Sequence, residues 1–235
     1  RYIAPKMPSE VSSDPDFIKN ADKVIFPGQG AMPDCIKELD KRGLRDVVIE
    51  SAKKKPFLGI CLGLQLIFEK REKGDVEGFG IFERKIKKFQ PSKQERIKIP
   101  HMGWNNVQQS KNHPMWKNIK SGSSFYFVHS FYASDVKKEH VTGTTNHGEE
   151  FTCAIAKENI FAVQFHPEVH HTPKGTKLYE NFIRIAGFSQ KWTMGVYKEK
   201  AIQAIRDKVG SNKVICGLSG GVDSSVTAIL MHEAI

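Results

Sequence analysis

Gly59-Ile60-Cys61-Leu62-Gly63 constrains this chain more than any other stretch. The apolar run Pro56-Phe57-Leu58 leads into it, and Leu64-Gln65-Leu66-Ile67-Phe68-Glu69-Lys70 follows. The pattern predicts a buried strand, a tight turn with Cys61 at its apex, and a helix running to about Lys70. It is the thiol version of a nucleophile elbow, in which flanking glycines let the backbone bend sharply and expose the reactive side chain. A helix start adds unpaired amides and a positive dipole end, which favour thiolate over thiol. A single free cysteine is ordinarily a buried core residue. The glycines, the helix start and a distant His-x-Glu set Cys61 apart from that background.

The His-x-Glu is His166-Pro167-Glu168, which ends the apolar run Ile160-Phe161-Ala162-Val163-Gln164-Phe165. Such a run reads as a buried strand, so the imidazole falls at the rim of a sheet. In thiol catalysis a histidine takes the proton from sulfur and later protonates the leaving group, while a carboxylate orients the ring. A third element is the Gly-rich turn Pro27-Gly28-Gln29-Gly30 after the strand-like Val24-Ile25-Phe26. Bare backbone amides there suit a developing oxyanion.

Taken together, these residues resemble the class I (triad) glutamine amidotransferases. The resemblance implies that Cys61 is the nucleophile, His166 the general base and acid, and Glu168 the orienting carboxylate. It implies an oxyanion hole from Gly28, Gly30 and the amide of Leu62, with Gln65, Ser130 and Phe131 holding the substrate glutamine. Four further stretches narrow it: Gly30-Ala31-Met32-Pro33-Asp34-Cys35, Gly78-Phe79-Gly80-Ile81-Phe82, Pro100-His101-Met102-Gly103-Trp104-Asn105, and Phe125-Tyr126-Phe127-Val128-His129-Ser130-Phe131-Tyr132. Over about residues 12 to 168 the chain is similar to the glutaminase subunit of imidazole glycerol phosphate synthase, a histidine-pathway enzyme. That family implies a cyclase partner, a (β/α)8 barrel, contacted through a loop around Pro100–Asn105. It implies no cofactor for glutamine hydrolysis.

From about Val169 the resemblance changes. His170-His171-Thr172-Pro173-Lys174-Gly175, Glu180-Asn181-Phe182, Lys191-Trp192-Thr193-Met194 and Lys213-Val214-Ile215-Cys216-Gly217-Leu218-Ser219-Gly220-Gly221-Val222-Asp223-Ser224-Ser225 look like GMP synthetase. Ser219, Gly220, Gly221, Val222, Asp223, Ser224 and Ser225 resemble a pyrophosphate loop, in which a short strand, bare amides and a helix start cradle phosphate. ATP and Mg2+ would belong to this stretch only within a complete pyrophosphatase domain. The alternative function is therefore a fragment of GMP synthetase, aminating XMP to GMP with ATP.

Composition excludes other classes. At 39% apolar and 26% charged the 235 residues are those of a globular chain. The longest apolar run, Pro56 to Phe68, is interrupted by Gly59, Gly63 and Gln65, so no membrane helix is expected. Cys35, Cys61, Cys153 and Cys216 lack CxxC spacing, and the histidines lack paired ligand spacing, so no metal is expected. A catalytic thiol and a polar N-terminus suit the cytoplasm. The net charge of +10 sits in short runs such as Lys53-Lys54-Lys55 without interleaved aromatics. Those runs read as solvated faces and not as a nucleic-acid platform.

The organisation follows. Residues 1–187 form an α/β, three-layer amidotransferase domain with its site at the carboxyl ends of the strands. Residues 188–195 are a connector, and residues 196–235 a basic helix followed by a strand–loop–helix fragment. Within the first domain, helix is expected in Asp34–Lys54 with a break at Gly43, and again at about Gly175–Ile185. Residues 1–16 hold three prolines and no long apolar run, so the sheet is expected to lack the family's first strand.

Overall fold

The computed structural model describes residues 10–71, 76–90, 97–169, 172, 174–187, 202–203, 205–215 and 222–235. They fall into two compact units, one of Val11–Phe188 and the other of Glu10 together with Ser189–Ile235.

The first unit is built on β2 (Phe57–Cys61), whose five residues are all buried. Continuous apolar sequence is what a strand flanked on both sides and covered on both faces demands. Its neighbours are β1 (Val24–Gly28) and β10 (Ile160–Val163), both parallel to it. From β10 the sheet continues antiparallel through β9 (Glu149–Lys157), then β7 (Phe131–Ala133) and β4 (Phe82–Lys88), and ends parallel at β3 (Phe68–Arg71). A hairpin of β5 (His101–Gln109) and β6 (Ser123–His129) joins through β8 (Val141–His147). Among the described residues β1 has no neighbour on its outer edge, and Val24, Ile25 and Phe26 are only half-buried there.

Alternation along β10 sorts its side chains onto two faces. Ile160 and Ala162 join one core with Met32, Ile36 and Leu39 of α2 (Met32–Lys41) and Val48 and Ala52 of α3 (Arg45–Lys54). Phe161 and Val163 join the other, with Leu178, Tyr179 and Phe182 of α5 (Gly175–Ile185). Helix, sheet and helix make the three-layer α/β class anticipated from sequence. In the second core Phe125 stacks on Phe165 with centroids 4.1 Å apart, and Asn181 Nδ2 donates to the Met115 and Lys117 carbonyls at 2.8 Å each.

The break between α2 and α3 falls where expected, with Gly43 at φ +64°, a left-handed value that favours glycine. Ahead of β1, the short α1 (Pro15–Asn20) is capped by Asp14, whose carboxylate accepts from the amides of Asp16 and Phe17.

Three expectations need correction. The helix after Cys61, α4 (Leu62–Leu66), ends at Leu66 instead of Lys70, because Phe68 pairs with Phe82 and the chain turns into β3. The segment around Pro100–Asn105 is no loop: from His101 it is β5, in register with β6 from His101↔His129 to Val107↔Ser123. In the second unit Lys213–Ile215 form no strand. Ile215 is 98% exposed there. That unit's described backbone is helical at 202–203, 205–209 and Val222–Ala234. The connector 188–195 lies outside the described residues.

Candidate active site

Register brings the three sequence elements together. Gly28 pairs with Cys61 and Val163 with Ile60, so the parallel strands β1, β2 and β10 end at one level. Beyond those ends lies a cavity of about 540 Å³. Cys61, His166, Gly28, Gly30, Leu62, Gln65, Ser130 and Phe131 all line it.

Cys61 sits at φ +54°, ψ −109°, between β2 and α4. That conformation is costly for a residue with a Cβ and is held only by tight surroundings. The surroundings are visible at the glycines. A Cβ on Gly63 would lie 2.0 Å from the Phe26 carbonyl oxygen, and one on Gly28 would lie 2.7 Å from Leu62 Cβ. The elbow is therefore pressed directly against the end of β1, and the turn Gly28–Gly30 runs beside the amides that open α4. Gly30 itself is at φ +87°.

His166 is 7% exposed, and its amide donates to the Tyr126 carbonyl at 2.8 Å. Its Nδ1 bonds Glu168 Oε1 at 2.7 Å. A carboxylate only accepts, so Nδ1 carries the hydrogen and Nε2 is the nitrogen left for the thiol. That buried Nε2 makes no hydrogen bond of its own. Cys61 lies close enough to act on the ring both as a hydrogen-bond partner and by charge, although Nε2 has no partner in strict hydrogen-bond geometry, a looseness common before substrate binds. Burial pulls the His166 pKa down, but Cys61 and Glu168 outweigh it and raise the value to about 10. The histidine is thus suited to exist as imidazolium.

Two residues of this site went unnoticed in sequence. Gln164, fully buried, donates from Nε2 toward Cys61 Sγ at 3.7 Å. Tyr179 stands against Glu168; burial first, and then that carboxylate, push the phenol's pKa up. Gln164's only sequence signal is a polar residue inside an apolar strand, and Tyr179 reads as an ordinary core residue of a helix. Gln65 lies in the cavity wall, yet its amide is engaged inward, donating to the Phe131 carbonyl and to Gln164 Oε1 at 3.1 Å each.

Of the pyrophosphate-loop sequence, Ser219, Gly220 and Gly221 lie outside the described residues. Val222, Asp223, Ser224 and Ser225 begin the helix Val222–Ala234. Among the described residues no group of His, Cys, Asp or Glu is arranged to hold a metal ion. Nor is any helix there long and apolar enough to cross a membrane.

A nucleophile elbow, a His–Glu pair and a glycine turn at the carboxyl ends of parallel strands define a thiol amidohydrolase site, and comparison with known proteins agrees. The profile of the family described as "Glutamine amidotransferase class-I" matches residues 7–186, and the chain belongs to that family. Within it, the chain is 48% identical over 188 residues to the imidazole glycerol phosphate synthase subunit HisH of Nitrosospira multiformis, covering 78% of this chain and 88% of that protein. It is 47% identical to the HisH subunit of Nitrosomonas europaea, covering 82% and 89%. A profile described as NAD synthase matches residues 196–235. A solved structure of a putative GMP synthase subunit from Thermoplasma acidophilum shares the fold at TM-score 0.54, with 19% identity and coverage of 80% and 79%. The glutaminase domain of Trypanosoma brucei CTPS does so at TM-score 0.52, with 16% identity and coverage of 77% and 78%. The protein is a glutamine amidotransferase.

The geometry predicts the effect of Glu168→Gln. Without the carboxylate His166 loses one of the influences that raise its pKa, so the imidazolium is less stable and the ring is free to change tautomer. Glutamine hydrolysis should fall by roughly two to four orders of magnitude. There is also a stability signature. A histidine raised above its ordinary value contributes stability that is fully present below pH 6.5 and lost as pH rises through about 10. Denaturant midpoints at pH 7 and pH 10 should therefore differ less in the variant than in the parent.

Proposed function

We propose that this chain is the glutaminase of imidazole glycerol phosphate synthase, which releases ammonia from glutamine for a cyclase partner in histidine biosynthesis. The observation that carries the reading is the Cys61 elbow facing His166–Glu168 across one cavity, in a chain nearly half identical to HisH subunits. His166 takes the proton from Cys61, and the thiolate attacks the side-chain amide carbon of glutamine. The oxygen that becomes negative is received by the amides around Gly28–Gly30 and Leu62. His166 then gives its proton to the amide nitrogen, which leaves as ammonia and forms a thioester. A water, deprotonated by the same imidazole, cleaves the thioester to glutamate and restores the thiol. In this reading Ser130 and Phe131, which line the cavity wall, hold the amino acid. The sequence uses no cofactor; ATP and Mg2+ would belong only to a complete pyrophosphatase domain around Ser219–Ser225.

The partner surface in this reading is the outer face of the β5–β6 hairpin. Met102 pairs with Val128 and Trp104 with Tyr126. Met102 is 62% exposed and Trp104 48%, an apolar group beside the cavity wall formed by Pro100 and Val128. Exposed Met and Trp on one face favour a protein contact. The test is isotopic. With glutamine labelled by 15N at the amide and a histidine-pathway cyclase barrel with its nucleotide substrate, label should appear in the imidazole product. Label found only as free ammonia, with a competent barrel present, would reject the assignment of this recipient.

A further inference from the structure

β5 and β6 carry two histidines that glutamine chemistry does not call for. His101 and His129 are 4% and 5% exposed and lie opposite each other in the hairpin register. His101 Nδ1 and His129 Nε2 are 3.0 Å apart, and His129 Nδ1 is 2.8 Å from the Phe131 carbonyl. At the outer end Asn105 Nδ2 is 3.2 Å from His101 Nε2. That amide's orientation is set by the backbone, since its Nδ2 also donates to the Asn146 carbonyl at 2.7 Å and its Oδ1 accepts from the Asn106 amide at 2.8 Å.

Every hydrogen in this chain is determined, and from both ends. A carbonyl only accepts, so His129 Nδ1 donates to Phe131; the neutral ring's Nε2 is then an acceptor, and His101 Nδ1 must donate to it. His101 Nε2 is left as the acceptor that Asn105 Nδ2 requires. Both rings are therefore Nδ1–H tautomers. Burial, first among the causes, keeps them neutral, with His101 lowered to about 4 and His129 to about 3. The chain does not stop at Phe131. The same carbonyl accepts from Gln65 Nε2, which also donates to Gln164 Oε1, and Gln164 Nε2 points at Cys61 Sγ.

We propose that His101 and His129 are positioning residues, which hold the Phe131 carbonyl where it orients Gln65 and Gln164 so that an N–H, and never an oxygen, faces the nucleophilic sulfur. A donor at 3.7 Å stabilises thiolate, whereas a reversed Gln164 amide would oppose it. The inference requires only that Cys61 be the nucleophile, so its test is independent of which enzyme takes the ammonia.

His101→Phe removes the donor while keeping a flat ring between Phe127 and His147, on which His101 stacks at centroid distances of 4.7 Å and 4.1 Å. The rate of Cys61 alkylation by iodoacetamide at neutral pH, read on the Cys61 peptide, should fall roughly fivefold, the worth of one weakened hydrogen bond. His101→Gln, whose amide again supplies an N–H, should recover part of it. A folded His101→Phe protein with unchanged alkylation overturns the proposal. Imidazole 15N spectra of the parent protein provide a second reading that needs no folded variant. Both rings must appear as neutral Nδ1–H tautomers at pH 7; an Nε2–H signal for either contradicts the chain.

Discussion

Cys61→Ala will fold and will release no glutamate. The activity loss should exceed roughly four orders of magnitude, because a missing nucleophile leaves only the binding and oxyanion contributions. Stability should change little by comparison. Alanine retains the Cβ, so the cost of φ +54° persists unchanged, and loss of one sulfur from a site already open to a cavity is worth about 1–2 kcal/mol at most. The pair of readouts separates chemistry from folding. A circular-dichroism melt close to the parent's, together with absent glutamate, assigns the thiol to the reaction. Residual hydrolysis at a few per cent of the parent rate would place the nucleophile elsewhere.

Gly63→Ala has the opposite profile, with folding failing first. In an exposed helix this substitution would stabilise by about 1 kcal/mol through propensity. Here the new Cβ would stand 2.0 Å from the Phe26 carbonyl oxygen, with the Phe26 carbonyl carbon 3.2 Å away. Both atoms are backbone of β1, so the clash is relieved only by displacing that strand from the elbow. The steric cost, about 3 kcal/mol or more, outweighs the propensity gain. Displacing β1 also moves Gly28 and Gly30 away from the amides that open α4, so activity should fall further than stability alone accounts for. Denaturant unfolding and glutamate release on the same sample check both effects. An unchanged midpoint would show that β1 yields without cost.

How the site assembles was legible wherever the chemistry depends on local sequence. Cys61 between its glycines, His166 at the end of an apolar run and Glu168 two residues on each announce a strand end or a turn. Parallel strands of equal register bring such ends together. The helix break at Gly43 and the helix Gly175–Ile185 were equally local signals. What was not legible depends on partners distant in sequence. Leu64, Leu66, Ile67 and Phe68 are all fully buried, and a run apolar on every side has no periodicity to say where helix gives way to strand. The β3 pairing decides it. Pro100 and Gly103 look like loop residues, yet seven register pairs with β6 make a strand of the residues from His101 on, the tertiary context overriding propensity. In the tail, Lys213–Ile215 have strand-like composition and pair with no strand among the described residues. The polar chain through His101, His129, Gln65 and Gln164 is invisible for a related reason. Each member reads as a single polar residue in apolar sequence, and only the folded sheet shows that they meet.

If this elbow hydrolyses glutamine for a synthase, the rate of glutamate formation from glutamine by the purified chain, alone and with a histidine-pathway cyclase barrel plus nucleotide substrate, will show it. Glutamate formation should rise when the barrel is added and vanish in Cys61→Ala. A folded protein that forms no glutamate in either condition would contradict it.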